Sequence, residues 1–229
     1  ESAPPSSPVT ASPEAARSSA APTSIPALSR AEVRELLFDL PWPELRALAH
    51  QCRLRHKGRH VHVRGLLEFS NVCRRNCRYC GLRHENRHLA RYSLSAAELL
   101  RAASQAVAAG VDTLVLQSGE TARNPLWLAQ VVRGLKERFG LPVTLSVGEQ
   151  PREWYALWRE AGADRFLLKH ETADARLYAA LHPGYRLADR LRALSWLAEL
   201  GYEVGSGFMV GVPGQRPESL VDDILLVRD

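Results

Sequence analysis

The sequence predicts an α/β chain folded as a partial (β/α) barrel of the TIM type with about five βα units, and three observations lead there. Short β-branched and aliphatic runs at 63–69, 113–117, 142–147, 165–169 and 203–210 alternate with segments of helical period. Several of those segments close on glycine, at Gly110, Gly140, Gly162 and Gly201, the residue that ends a helix in the left-handed conformation without steric cost. Polar or glycine-containing residues gather just after each strand: Ser70-Asn71 and a run of cysteines, Ser118-Gly119-Glu120, Gly148-Glu149, His170-Glu171 and Gly211. A barrel brings all its strand ends to one mouth, whereas an open doubly wound sheet concentrates its site at a switch point. The even spread favours the barrel.

Taken in order, residues 1–27 are Ser, Ala and Pro with almost no large apolar side chain, so they are expected to form a disordered tail. The tail is Ser-rich like a transit peptide, but Arg17 is its single base and Glu1 and Glu14 count against that reading. Order is expected from residue 28, with two N-terminal helices over 28–58 and the incomplete barrel over 59–229. Ser29-Arg-Ala-Glu32 is a capping box that opens the first helix, and a second helix is expected from Pro43 to Arg53. After the first strand, Ser95-Ala-Ala-Glu98 is another capping box, followed by Leu99, Leu100, Ala103 and Val107 on one apolar face. The fifth helix begins near Glu218. An eightfold barrel needs three further units, so the C-terminal units are expected to be missing from a fragment or supplied from elsewhere. Met209 is the only methionine, and the true start is expected upstream of residue 1.

No apolar run approaches the roughly 18 residues of a membrane span, and no secretory signal opens the chain. A cytoplasmic protein that does not engage a membrane is expected. The net charge of +5 and pI near 9.3 do not imply nucleic acid, because the arginines are scattered and alternate with acids, as Arg30, Glu32, Arg34 and Glu35 do.

Three of the four cysteines, Cys73, Cys77 and Cys80, fall on the loop leaving the first strand. Clustered thiols fit a metal in a reducing compartment rather than a disulfide framework. Three thiolates on a four-iron cluster leave one iron open to a ligand, as catalytic metals keep a vacant position. The competing reading is a structural zinc with His84 as fourth ligand, although the second C-x-x-C pair usual for zinc is absent. Cys52 is expected to be a buried or idle thiol on the second helix; His50, His56, His60 and His62 cluster before the first strand, where His60 and His62 read as polar edge residues rather than ligands.

C-x3-C-x2-C with Tyr79 before the last cysteine resembles the signature of the radical SAM superfamily. The resemblance implies a full or partial β/α barrel in which a [4Fe-4S] cluster chelates S-adenosyl-L-methionine through its open iron. Reductive cleavage of that cofactor gives a 5′-deoxyadenosyl radical. Ser118-Gly119-Glu120 resembles the family's motif for the methionine amino group. The strings Glu68-Phe-Ser-Asn71, Cys80-Gly-Leu-Arg83, Leu116-Gln-Ser-Gly-Glu120, Thr144-Leu-Ser-Val-Gly-Glu149, His170-Glu-Thr-Ala173 and Met209-Val-Gly-Val-Pro-Gly-Gln215 are similar to the HydE-type [FeFe]-hydrogenase maturases. That resemblance implies Cys73, Cys77 and Cys80 as cluster ligands. It also implies Tyr79, Ser118, Gly119, Glu120, Thr144, Ser146, Glu171 and Arg190 as the S-adenosylmethionine site, with Gln117 and Met209 facing the cavity. The residues themselves leave Thr144 and Ser146 open to plain strand packing, and Glu171 and Arg190 open to an internal salt bridge.

The same resemblance implies a small-molecule or organometallic substrate, sister hydrogenase maturases, a flavodoxin- or ferredoxin-type reductant, and a role in assembling the hydrogenase H-cluster. Lys169 stands where such sequences carry arginine, keeping the charge and losing the planar fork. Methylornithine synthase and biotin synthase share the general plan and are the same-class alternative. A non-catalytic metal- or cluster-binding module is the alternative of another class. An incomplete barrel is expected to show weak activity.

Overall fold

Alternation along each strand decides which side chains enter the helix-covered core and which face the barrel interior. The computed structural model describes residues 28–121 and 124–228, so the tail assigned to 1–27 lies outside the described residues. The elements in order are α1 (Arg30–Phe38), α2 (Trp42–Lys57), β1 (Arg64–Ser70), α3 (Ala96–Ala108), β2 (Thr113–Ser118), α4 (Pro125–Phe139), β3 (Val143–Ser146), α5 (Arg152–Glu160), β4 (Arg165–Leu167), α6 (Ala175–Leu181), α7 (Leu187–Glu199), β5 (Glu203–Gly205) and α8 (Pro217–Arg228).

The five strands form one all-parallel sheet in the order β1-β2-β3-β4-β5. A doubly wound sheet reverses direction at its switch point; this one never does, which is the strand progression of a barrel. Register places Leu66, Val115, Thr144, Arg165 and Glu203 in one row, and Glu68, Gln117 and Ser146 in the next. These rows face the interior. Alternating with them along the strands, Leu67, Leu114, Leu116, Val143, Leu145 and Phe166 point outward and are buried with Leu99 of α3, Val132 and Leu135 of α4, Tyr155 and Trp158 of α5 and Leu197 of α7. Each such burial contributes about 1.5–3 kcal/mol, so the outward face holds the sheet together.

Both capping boxes form. Ser29 and Ser95 donate their backbone N–H to Glu32 and Glu98 (2.7 and 2.8 Å), while their hydroxyls accept from the N3 amides. Gly140 ends α4 in the left-handed conformation (φ 65°), as its position predicted. α1 lies against α8, joined by an Arg30–Asp222 ion pair and by Arg228 donating to the Leu28 carbonyl. α2 runs past its expected end at Arg53 to Lys57, where Gly58 (φ 67°) stops it, and it buries no side chain; Cys52 is exposed.

β4 and β5 are shorter than their apolar runs suggested. Glu171 has φ 70°, the one positive φ of a non-glycine among the described residues, and it bends the chain leaving β4. Pairing resumes only as a single Glu171–Phe208 bridge. The helix α6, for which periodicity gave no separate signal, fills the β4–α7 connection and starts on an Asp174 carboxylate that accepts from the Arg176 and Leu177 amides.

Candidate active site

The loop from Asn71 to Leu94 is tied at its neck. Ser70 Oγ meets Ser93 Oγ at 2.7 Å, Asn71 donates to the Ala90 carbonyl, and its own Oδ1 accepts from the Tyr92 amide. Arg91 spreads its guanidinium over the carbonyls of Asn71, Leu82 and Arg83 at 2.6–2.9 Å. Within this frame the Cys80 amide bonds the Cys77 carbonyl and the His84 amide bonds the Arg75 carbonyl, winding the segment around its thiols. Cys73, Cys77 and Cys80 are free and half-buried. Burial pushes the Cys77 thiol up to about 11, against the pull of the Arg75 charge.

The end of β2 closes on this loop because Gly119 has no side chain. A Cβ there would strike the Val72 carbonyl and stand 2.8 Å from Cys73 Cβ. Its amide bonds the Ser70 carbonyl, and the next carbonyl, Glu120, accepts from the Arg74 amide at 2.7 Å. Among the described residues no three His, Cys, Asp or Glu side chains stand close enough to hold a single metal ion. A four-iron cluster spreads its thiolates over separate irons and needs no such convergence. Three free thiols on a loop held this tightly fit that group.

Beneath the loop runs a chain of alternating charge, buried at Glu120, Arg75 and Arg190. Glu120 lies 3.0 Å from Arg74 Nε and 2.6 Å from Arg75 Nε, the latter out of hydrogen-bond alignment, and accepts from the Glu149 amide at 2.8 Å. Gly148 (φ 76°) makes that approach feasible, since a Cβ there would lie 2.5 Å from the Glu120 carboxylate. Arg75, 3% exposed, reaches Glu149 at 2.7 Å and places its guanidinium carbon over the Tyr185 ring, 3.6 Å from its centroid. Glu149 also pairs with Arg190, whose second nitrogen donates to the Lys169 carbonyl. Burial alone would raise the Glu149 carboxyl, but the Arg190 and Arg75 charges outweigh it and hold the group below its ordinary value.

The predicted residues thus fall into groups. Glu120 and Arg190 are linked through Arg75 and Glu149, so Arg190 sits in the internal salt bridge that the residues had left open. Glu171 has Lys169 Nζ 3.2 Å from its Oε2, so Lys169 engages its own loop's carboxylate. Thr144 and Ser146 share the interior face of β3; Thr144 Oγ1 is buried without a hydrogen-bond partner. Ser118 donates to the Gly119 carbonyl. Tyr79 bonds His182 Nε2 at 2.8 Å. Sequence reading passed over Arg74, Arg75, Tyr178, His182 and the partner role of Glu149. Glu149 had a usable signal as a charged residue at a barrel strand end; Arg75 had only its place between two cysteines.

The Radical SAM superfamily profile matches residues 67–227. The chain belongs to the radical SAM superfamily. Members of that superfamily bind a [4Fe-4S] cluster and S-adenosylmethionine. Among curated proteins, this radical SAM chain is 49% identical over 80% of its length to the [FeFe] hydrogenase maturase subunit HydE of Thermotoga maritima, covering 52% of that protein. It is 29% identical to the 3-methylornithine synthase of Methanosarcina acetivorans, over 86% of this chain and 57% of that one. The crystal structure of methylornithine synthase PylB superposes with TM-score 0.76 at 26% identity, covering 87% of this chain and 59% of that one. A crystal structure of the maturase HydG shares the fold (TM-score 0.75, 23% identity, 85% and 45% coverage). The chain spans about half the length of the curated relatives it matches. No described helix is long and apolar enough to cross a membrane.

Proposed function

We propose that this radical SAM chain is a HydE-like maturase acting in assembly of the [FeFe]-hydrogenase H-cluster, in the cytoplasm, on a small-molecule or organometallic substrate. A flavodoxin- or ferredoxin-type reductant and sister maturases would be its partners, and nucleic acid would not. The observation that carries the reading is the cysteine loop itself, pressed onto Gly119, in a chain 49% identical to a HydE. Cys73, Cys77 and Cys80 would hold the cluster, which with S-adenosylmethionine bound would supply reductive radical chemistry. Tyr79, Ser118, Gly119, Glu120, Thr144, Ser146, Glu171 and Arg190 line the cofactor's site. In that role Gly119 keeps the wall close to the loop, and Thr144 offers a hydroxyl with no competing protein partner. The Arg75–Glu149–Arg190 pairs fix the floor so that no charge needs to reorganise when a zwitterion enters.

Anaerobic reconstitution of the chain with iron and sulfide, then assay under a strong reductant, tests the reading. Release of 5′-deoxyadenosine from S-adenosylmethionine is expected, with none from Cys77→Ala; bound zinc and no cleavage would reverse the conclusion. Rescue of hydrogenase maturation in cells lacking their own HydE is expected as well. Turnover of a lysine-like or dethiobiotin-like substrate without rescue would move the chain to the synthases.

A further inference from the structure

The C-terminal end of α6 meets the cysteine loop at two successive residues. The Arg78 amide donates to the Leu181 carbonyl at 2.9 Å, satisfying one of the carbonyls that a helix end leaves open. One residue further along both chains, the Tyr79 hydroxyl lies 2.8 Å from His182 Nε2. His182 is fully buried and stacks on Tyr178, with ring centroids 4.1 Å apart. Its other nitrogen, Nδ1, faces the Tyr178 carbonyl at 3.0 Å. A carbonyl only accepts, so Nδ1 carries the proton, Nε2 is left as an acceptor, and the Tyr79 hydroxyl is the donor. Tyr178 in turn points its hydroxyl at Glu149, 3.4 Å away, so the link runs back into the charged floor.

We propose that His182 is a positioning residue: held as the Nδ1-protonated neutral ring by the Tyr178 carbonyl, it captures the Tyr79 hydroxyl and so fixes the loop between Cys77 and Cys80 onto α6. Its functional consequence rests on the radical SAM reading, but the link itself belongs to the chain alone. A histidine serving only as filler would need a ring, not a particular proton. The role argued here needs the acceptor at Nε2 and the hydroxyl facing it.

The test uses the full chain with Tyr79→Phe, His182→Phe, His182→Gln and the Tyr79→Phe/His182→Phe double variant. In metal-free protein, nitrogen-15 correlation spectra of the histidine rings should show His182 neutral with its proton on Nδ1, and Tyr79→Phe should move its Nε2 resonance. A proton on Nε2, or a ring indifferent to loss of the hydroxyl, overturns the link. In reconstituted protein, Tyr79→Phe and His182→Phe should keep wild-type iron content and each weaken S-adenosylmethionine binding about tenfold. The double variant should be no worse than either single one, and His182→Gln, whose amide oxygen offers an acceptor, should recover most of the loss. Additive losses, or unchanged binding in Tyr79→Phe, overturn the positioning role. Tyr79→Phe removes only a hydroxyl, so it decides the matter even where a His182 variant folds poorly. If wild-type chain takes up no cluster, the functional reading fails while the ring spectra still decide the link.

Discussion

The two faces of the sheet are built on different physics. On the outer face Leu114, Leu116, Val143, Leu145 and Phe166 are fully buried against helices, and nothing about their contacts is directional. At the mouth, Arg75, Glu120 and Arg190 are nearly as buried and Glu149 is partly so, yet each depends on a specific opposite charge. Apolar packing degrades gradually, because neighbours relax into a gap. A buried ion pair fails abruptly, because removing one member strands the other without solvent. Stability should therefore reside in the outer face, and the geometry of the cysteine loop in the mouth.

Two substitutions of similar energetic size break this comparison most directly. Glu149→Ala leaves Arg75 and Arg190 without their shared carboxylate and should cost about 3–5 kcal/mol, with iron retention after gel filtration lost alongside the thermal midpoint. Phe166→Ala should cost about 3–5 kcal/mol as well, but protein reconstituted well below its midpoint should still take up full iron. Equal retention in the two variants would erase the distinction between the faces. Gly119→Ala comes next, at about 1–3 kcal/mol of overpacking. Its expected signature is a weakened cluster with an outer core unchanged in near-ultraviolet circular dichroism.

The smallest effect is one of pH. Burial lowers His182 from 6.5 to about 4, with the Arg190 and Arg75 charges adding to the shift and the Tyr178 carbonyl opposing it. Tyr79, Tyr178, Arg75, Arg190 and Glu149 are the polar and charged groups that surround it. The unfolded chain then binds a proton that the folded chain refuses, so this contribution is intact above pH 6.5 and is lost as pH falls toward 4. By pH 5 it should amount to about 1–2 kcal/mol. Urea titrations of wild type and His182→Phe should differ in pH slope over that window; parallel slopes would mean the ring is charged in the folded protein.

What could be read from the sequence was what is local in it. The capping boxes at Ser29 and Ser95, Gly140 as a helix stop, the cysteine spacing and the five alternating strands each depend on residues a few positions apart, and all five strands and both boxes appear. The length of β4 did not, because its ladder to β5 ends at Leu167 although the apolar run continues to 169, and the positive φ of Glu171 beyond it has no signal in its residue type. Nor did the pairing of Arg75 with Glu149, or of Tyr79 with His182, residues 74 and 103 positions apart that meet only once the strands are in register. His182 was hidden twice, since it caps a short helix that apolar periodicity does not separate from α7.

We propose that the loop leaving β1 presents three thiolates to a four-iron cluster and leaves one iron free for a ligand. Electron paramagnetic resonance of the anaerobically reconstituted, reduced chain, recorded before and after adding S-adenosylmethionine, tests it most directly. A cubane signal that changes shape on addition and is missing from Cys77→Ala is expected. A wild-type chain with no such signal, or one that ignores the added cofactor, would contradict it.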